Sequence, residues 1–120
     1  MKAKFNCLVC ILFLVNISCV QKSYDRIMIL ELKVDNIKNI RSVGVRGSDK
    51  PLNWNTDYPL KLDHKDNIYK TTVKMNTGYL FTEIKFVVNG EIELENRGNR
   101  KITFNTKDTV RYEAQYNRPK

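Results

Sequence analysis

The stretch 81–104, FTEIKFVVNGEIELENRGNRKITF, decides the fold because two apolar-rich arms flank Asn89-Gly90. Asn and Gly both tolerate the positive φ that tight primed turns require, and the pair between β-branched and aromatic residues is the strongest short-range hairpin signal. The sequence therefore predicts a β-hairpin that turns at Asn89-Gly90. A further strand follows it and carries Ile102 and Phe104 on one face.

The register of this hairpin depends on the length of its loop. A two-residue loop would pair Phe86 with Glu93, which puts an apolar side chain opposite a carboxylate. A three-residue loop with Gly90 in the left-handed conformation would instead pair Phe86 with Ile92 and Lys85 with Glu93. We expect the three-residue loop, since it gathers the apolar side chains on one face.

The rest of the chain alternates in short segments, and none shows a sustained helical period. These segments are 26–34, 42–46, 58–62, 68–75 and 110–116. Pro59 cannot donate a ladder hydrogen bond, so its segment is expected at a sheet edge or a strand start. Seven or eight short strands separated by turn clusters predict an all-β antiparallel sandwich or small barrel. The apolar phases predict a core that includes Leu30, Leu32, Val45, Val73, Ile84, Phe86 and Ile102.

The N-terminus has the pattern of a secretory signal peptide, because Lys2 and Lys4 precede an apolar run at 5–15. That run is shorter than the roughly twenty residues a membrane-spanning helix needs. We therefore expect residues 1–18 to be removed, residues 19–24 to form a short tether and residues 25–120 to form one domain.

The stretch 14–19, Leu-Val-Asn-Ile-Ser-Cys, resembles a bacterial lipobox, in which the cysteine becomes the lipidated first residue. Ser18 fits this pattern and Asn16 departs from it; ordinary signal peptidase cleavage is the alternative. Cys7 and Cys10 would leave with the signal peptide, so Cys19 is the one cysteine left, which excludes an internal disulfide. We expect an exported protein of the bacterial envelope, lipid-anchored through Cys19 at the periplasm or the cell surface.

The charge is basic but dispersed. The net charge is +8, and without Lys2 and Lys4 19 of the 21 Lys and Arg residues remain against 13 Asp and Glu, which leaves +6. Interspersed charges are typical of a solvated surface, and export argues against nucleic acid as a partner. Contact with acidic polysaccharide or lipopolysaccharide stays open.

Residues that could carry catalysis are sparse. The single His64 lies in a charged turn with Asp63 and Asp66, and no Ser-His-Asp set, phosphate-binding loop or metal-ligand spacing is visible. We expect no enzymatic activity, no catalytic residues, no metal site and no cofactor.

Motifs between residues 43 and 104 are similar in order and spacing to those of starch-binding modules of carbohydrate-binding module family 20, or the related glycogen-binding family 48. They are V-x-V-R-G-S at 43–48, L-x-W at 52–54, IYKTTV at 68–73, EIKFVVNG at 83–90 and Asn99-Arg100. The resemblance implies an immunoglobulin-like β-sandwich that binds α-glucan, as polysaccharide or oligosaccharide, without cleaving it.

The resemblance also implies roles for individual residues. Trp54 would stack on the sugar, Lys85 and Asn99 would hydrogen-bond its hydroxyls, and Glu95 would assist. The chain departs from the family where a second tryptophan is expected, because that position is Ile92 counted from the turn, or Leu94 counted back from Asn99-Arg100.

Each of these residues has an ordinary structural alternative. Trp54 could anchor a loop or the core, Lys85 could pair across strands with Glu93, and Asn99 could satisfy backbone groups in a turn. Two functions follow: a glycan-binding lipoprotein, or an envelope-structural or protein-interaction module that has lost sugar binding. Exposure of Trp54 beside Lys85 and Asn99 would favour the first, and its burial the second.

Overall fold

The computed structural model of the protein describes residues 22–105 and 108–119. These residues form nine strands and no helix: β1 (Tyr24–Lys33), β2 (Val43–Gly47), β3 (Tyr58–Pro59), β4 (Lys61–Asp63), β5 (Ile68–Thr77), β6 (Phe81–Val88), β7 (Glu91–Ile92), β8 (Arg100–Thr103) and β9 (Thr109–Gln115). No helix that could cross a membrane occurs in these two ranges. The predicted signal peptide and Cys19 lie outside the described residues.

The strands form two sheets, which confirms the predicted all-β sandwich. The four-stranded sheet has the order β4-β5-β1-β9, and the five-stranded sheet has the order β3-β2-β6-β7 with β8 also paired to β6. Every pairing is antiparallel except the one between β1 and β9, where Met28 lies opposite Val110. The parallel contact between the first and last strands makes β9 one edge strand of the four-stranded sheet.

The core lies between the two sheets and is built from the inward phase of their strands. All seven residues predicted for it are at most 2% exposed, which confirms the alternation argument. Phe86 and Phe104 are the largest of the fully buried side chains. Tyr69 and Tyr112 pack against this core from the four-stranded sheet.

The segment 58–62 was predicted as one strand and is instead divided between the sheets. β3 pairs with β2 at the edge of the five-stranded sheet, and β4 pairs with β5 at the edge of the four-stranded sheet. Leu60 between them is buried, and its N–H donates to the carbonyl of Val43 at 2.9 Å. Pro59 lies in an edge strand, as its missing N–H requires.

The hairpin turns at Asn89-Gly90 as predicted, but its expected register is wrong. Asn89 and Gly90 have φ of 52° and 80°, so the loop has two residues, and Val87 pairs with Ile92. The Glu93 N–H donates to the Phe86 carbonyl at 3.0 Å, which places the carboxylate on the core side.

A buried ion pair makes this register favourable. Glu93 accepts hydrogen bonds from Nε and Nη2 of Arg100, both at 2.7 Å, and from the backbone N–H groups of Phe86 and Asn117 at 2.7 and 3.0 Å. Burial acts to lower the pKa of Arg100, but the hydrogen bonds and charge of Glu93 raise it overall. A buried carboxylate with four donors is tolerated, because its lone pairs are satisfied and its charge is compensated.

Arg100 also joins the two sheets. Its Nη2 donates to the carbonyls of Gln115 and Arg118, at 2.9 and 2.6 Å, at the end of β9. Its guanidinium stacks 5.6 Å from the centre of the Phe86 ring. Arg100 is therefore a structural residue of the sandwich.

Candidate functional site

The outer side of the five-stranded sheet carries the predicted site residues. Side chains alternate along a strand, so Glu83, Lys85 and Val87 of β6 point away from the buried Ile84 and Phe86. Across the ladders, Arg46 lies opposite Lys85, Ile92 opposite Val87 and Lys101 opposite Glu83. We call these six residues, Arg46, Glu83, Lys85, Val87, Ile92 and Lys101, the outer face.

Trp54 lies in the loop between β2 and β3 and is half-buried. Nη1 of Arg46 donates to the Trp54 carbonyl at 3.2 Å, while Nε of Arg46 forms an ion pair with Asp57 at 2.6 Å. Asn53 folds the loop locally, because its side-chain oxygen accepts hydrogen bonds from the N–H groups of Asn55 and Thr56. Arg46 thus fixes the tryptophan loop beside the outer face, and Trp54 is neither a core residue nor fully exposed.

Lys85 lies on the outer face but is turned toward the loop after β7. Its Nζ donates to the carbonyls of Leu94 and Arg97 at 3.0 and 2.9 Å. The cross-strand pair of Lys85 with Glu93 does not form, because Glu93 lies on the core side. An ammonium has three N–H bonds, so these two contacts hold the loop and leave one donor direction for a ligand.

Asn99 and Glu95 lie at the edge of the same face. The Asn99 amide donates to Oε2 of Glu83 at 3.3 Å, and Glu83 precedes Lys85 by two residues on β6. Glu95 is exposed in the loop that Lys85 holds. The structure therefore brings Lys85 and Asn99 together and adds Glu83, which the sequence analysis missed although its spacing from Lys85 put it on the same face.

The two candidate positions for a second aromatic residue differ in orientation. Ile92 is 41% exposed and belongs to the outer face, whereas Leu94 is 4% exposed. Leu94 has a φ of 55°, and its N–H donates to the Asn117 side chain at 2.9 Å. Of the two positions, Ile92 is the one exposed on the outer face, and its side chain is aliphatic.

The outer side of the four-stranded sheet holds a network of ion pairs. Glu31 lies 2.6 Å from Arg111, and Nζ of Lys70 lies 2.8 Å from Asp66 and 3.1 Å from Asp63. The hydrogen bonds that Lys70 donates to Asp66 and Asp63 raise the pKa of Lys70. The pKa of Asp63 is lowered, first by the hydrogen bond from the backbone N–H of Lys65 and then by the one from Lys70. These charges compensate one another within the protein.

His64 is exposed in the turn between β4 and β5, beside this network. Across 22–105 and 108–119, no group of three or more His, Cys, Asp or Glu side chains is placed to hold a metal ion. The outer face, by contrast, combines donors and acceptors with the exposed apolar side chain of Ile92, and Arg46 ties the loop that carries Trp54 to it. Such an arrangement can bind a polar ligand that has one apolar side.

No family model matches this sequence, and a search of curated proteins finds no match. The resemblance to starch-binding modules therefore rests on the order and spacing of its motifs.

Proposed function

We propose that the domain is a non-catalytic carbohydrate-binding module of an exported lipoprotein, with an α-glucan of the starch or glycogen type as its ligand. The observation that carries this proposal is the convergence of the Trp54 loop, Lys85, Asn99 and Ile92 on one side of the five-stranded sheet. Lys85, Ile92 and Asn99 come from one stretch of the chain, and the Trp54 loop comes from a separate one.

The chemistry of a glucan suits this surface. A pyranose has an apolar C–H face that packs on an indole, and a rim of hydroxyls that requires fixed donors and acceptors. Lys85 provides an oriented ammonium, and the Asn99–Glu83 pair provides both an amide and a carboxylate. Ile92 offers less apolar contact area than a second indole would give, so affinity should be weak.

Titration of the protein with maltoheptaose and glycogen, followed by Trp fluorescence, tests the proposal. Trp54→Ala should abolish binding, whereas Lys85→Ala, Asn99→Ala and Glu95→Gln should each weaken it, by about 1 kcal/mol for one lost hydrogen bond. Ile92→Trp should strengthen it, since a good stacking contact contributes on the order of 1 kcal/mol beyond its buried area.

Two controls separate binding from stability and charge. Lys74→Ala removes the same charge from an exposed position on the four-stranded sheet and should leave binding unchanged. Tyr24→Ala removes an exposed aromatic ring on β1 of the other sheet and should also leave binding unchanged. Absence of any glucan binding by wild type and by Ile92→Trp at millimolar ligand would refute the proposal, as would unfolding of Trp54→Ala.

The second candidate is an envelope-structural or protein-interaction module without sugar binding, with an envelope protein as partner. It is favoured by the internal bonds of the site, since Lys85 already binds two carbonyls, Asn99 binds Glu83, and Trp54 is half-buried. In that case Lys85→Ala should destabilise the loop after β7 and have no effect on glucan. The same titrations, read together with unfolding curves, distinguish the two functions.

A further inference from the structure

A cluster of exposed apolar side chains lies at one end of the sandwich. Tyr79, Leu80 and Phe81 are consecutive and are 65%, 67% and 41% exposed, and Tyr24 nearby is 49% exposed. Tyr79 lies in the wall of a groove of about 580 Å³ that is also lined by Lys22 and Lys50. We call Lys22, Tyr24, Lys50, Tyr79, Leu80, Phe81 and Lys101 the end surface.

Three lysines surround the apolar side chains. Lys22 and Lys50 are exposed at the groove, and Nζ of Lys101 lies 4.2 Å from the centre of the Phe81 ring. Asp49 accepts a hydrogen bond from Thr82 at 2.6 Å and Asp25 accepts one from Asn76 at 2.8 Å, while Asp108, also near this end, lies 3.9 Å from Nη1 of Arg26. Lysines around exposed aromatic and leucine side chains are the composition of a protein surface that touches an anionic lipid headgroup layer.

The predicted anchor, Cys19, is close in sequence to the end surface. Lys22 follows Cys19 by three residues, which fully extended span at most about 11 Å. An acyl chain on Cys19 would hold the end surface close to the headgroups. A single acyl chain gives only marginal membrane binding, so a second, basic and apolar contact adds to it.

We propose that the end surface docks on an anionic phospholipid bilayer. The sandwich then stands on the membrane with its Asn89-Gly90 turn pointing away, since β6 runs from Phe81 to Val88 over about 23 Å. This adds a direct protein contact to the lipid anchor expected from the sequence, and it does not depend on glucan binding. Leu80 is the most exposed of these apolar side chains. It cannot hydrogen-bond or stack with a sugar, but it is suited to insertion among acyl chains.

Fluorescence quenching tests the orientation. The protein, matured and isolated from the envelope, is reconstituted in vesicles of phosphatidylglycerol and phosphatidylethanolamine with brominated acyl chains. In a Trp54→Phe background, Leu80→Trp provides a reporter at the end surface, and Phe81→Trp replaces it if the first variant does not fold. Glu91→Trp is the matched reporter at the far end. This substitution removes a negative charge from the far end and so favours contact of that end with anionic lipid, which works against the expected absence of quenching.

We expect strong quenching of Leu80→Trp and none of Glu91→Trp. Replacing Lys22 and Lys50 by Gln should shift the docking equilibrium by about fivefold for each lysine. Lys38→Gln with Lys65→Gln, exposed lysines at the far end, should have no effect. Equal quenching of both reporters, or quenching of neither, would overturn the proposal. If Tyr79→Ala loses glucan binding and the Leu80→Trp reporter is not quenched, the end surface is a sugar site and the membrane proposal is overturned.

Discussion

Replacing Glu93 by Gln removes the charge from the buried ion pair while keeping the size and shape of the side chain. The carboxylate has two acceptor oxygens that bind four donors, from Arg100, Phe86 and Asn117. A glutamine has one acceptor oxygen, and its NH₂ group would face donors of Arg100 or of the backbone. The variant therefore leaves a buried guanidinium without a counter-ion.

The magnitude follows from the burial of both partners, which are 0% and 2% exposed at their side chains. Removing one member of a buried ion pair costs about 3–5 kcal/mol, because the remaining charge is uncompensated. A domain of this size is stable by about 5–15 kcal/mol in total. Glu93→Gln should thus remove roughly a fifth or more of the stability and lower the urea midpoint by about 2 M.

Urea unfolding at pH 7, followed by far-ultraviolet circular dichroism, measures this loss. Glu95→Gln is the matched control, because it makes the same change two residues along at an exposed position and should stay within about 0.5 kcal/mol of wild type. The double variant Glu93→Leu/Arg100→Met should be more stable than Glu93→Gln alone, since no charge is left buried. A loss below about 1 kcal/mol for Glu93→Gln would refute the importance of the pair.

Three further outcomes are expected. Phe86→Ala should cost about 3–5 kcal/mol of unfolding free energy, because Phe86 is fully buried; a loss under about 1 kcal/mol in urea unfolding would contradict this. The pKa of Asp63 is lowered in the folded protein, so its contribution to stability is present above pH 3.8 and is lost as the pH falls below it. In acid unfolding experiments, Asp63→Asn should lack the part of the stability loss that protonation of Asp63 causes in wild type. Mass spectrometry of protein from the envelope should find an acylated Cys19 as the first residue; an unmodified N-terminus at Val20 or later would contradict this.

The sequence sufficed for features that depend on neighbouring residues. Alternation with a period of two placed Leu30, Val45 and Phe86 on inward faces whatever their partners were, because successive side chains of a strand point to opposite sides. Asn89-Gly90 specified its turn, since both residues accept positive φ. Pro59 was confined to an edge by its missing N–H.

The candidate site was predictable in part. Lys85 and Asn99 do lie on the same side of the sheet, and Glu83 could have been added from its spacing to Lys85. The hydrogen bonds of Lys85 to the loop carbonyls could not be predicted, because they depend on how residues 94–97 fold back over β6.

Tertiary structure alone decided the hairpin register and, with it, which of Ile92 and Leu94 is exposed. Considered locally, opposing Phe86 with Glu93 puts a carboxylate in the core, so the sequence favours the other register. Arg100 reverses that preference by bringing a second charge and its hydrogen bonds to the same place. The carbonyls of Gln115 and Arg118 accept further hydrogen bonds from its Nη2, and the Tyr112 hydroxyl accepts one from its Nη1. A buried charge is acceptable only when its partners are assembled around it, and here they come from three separate segments of the chain.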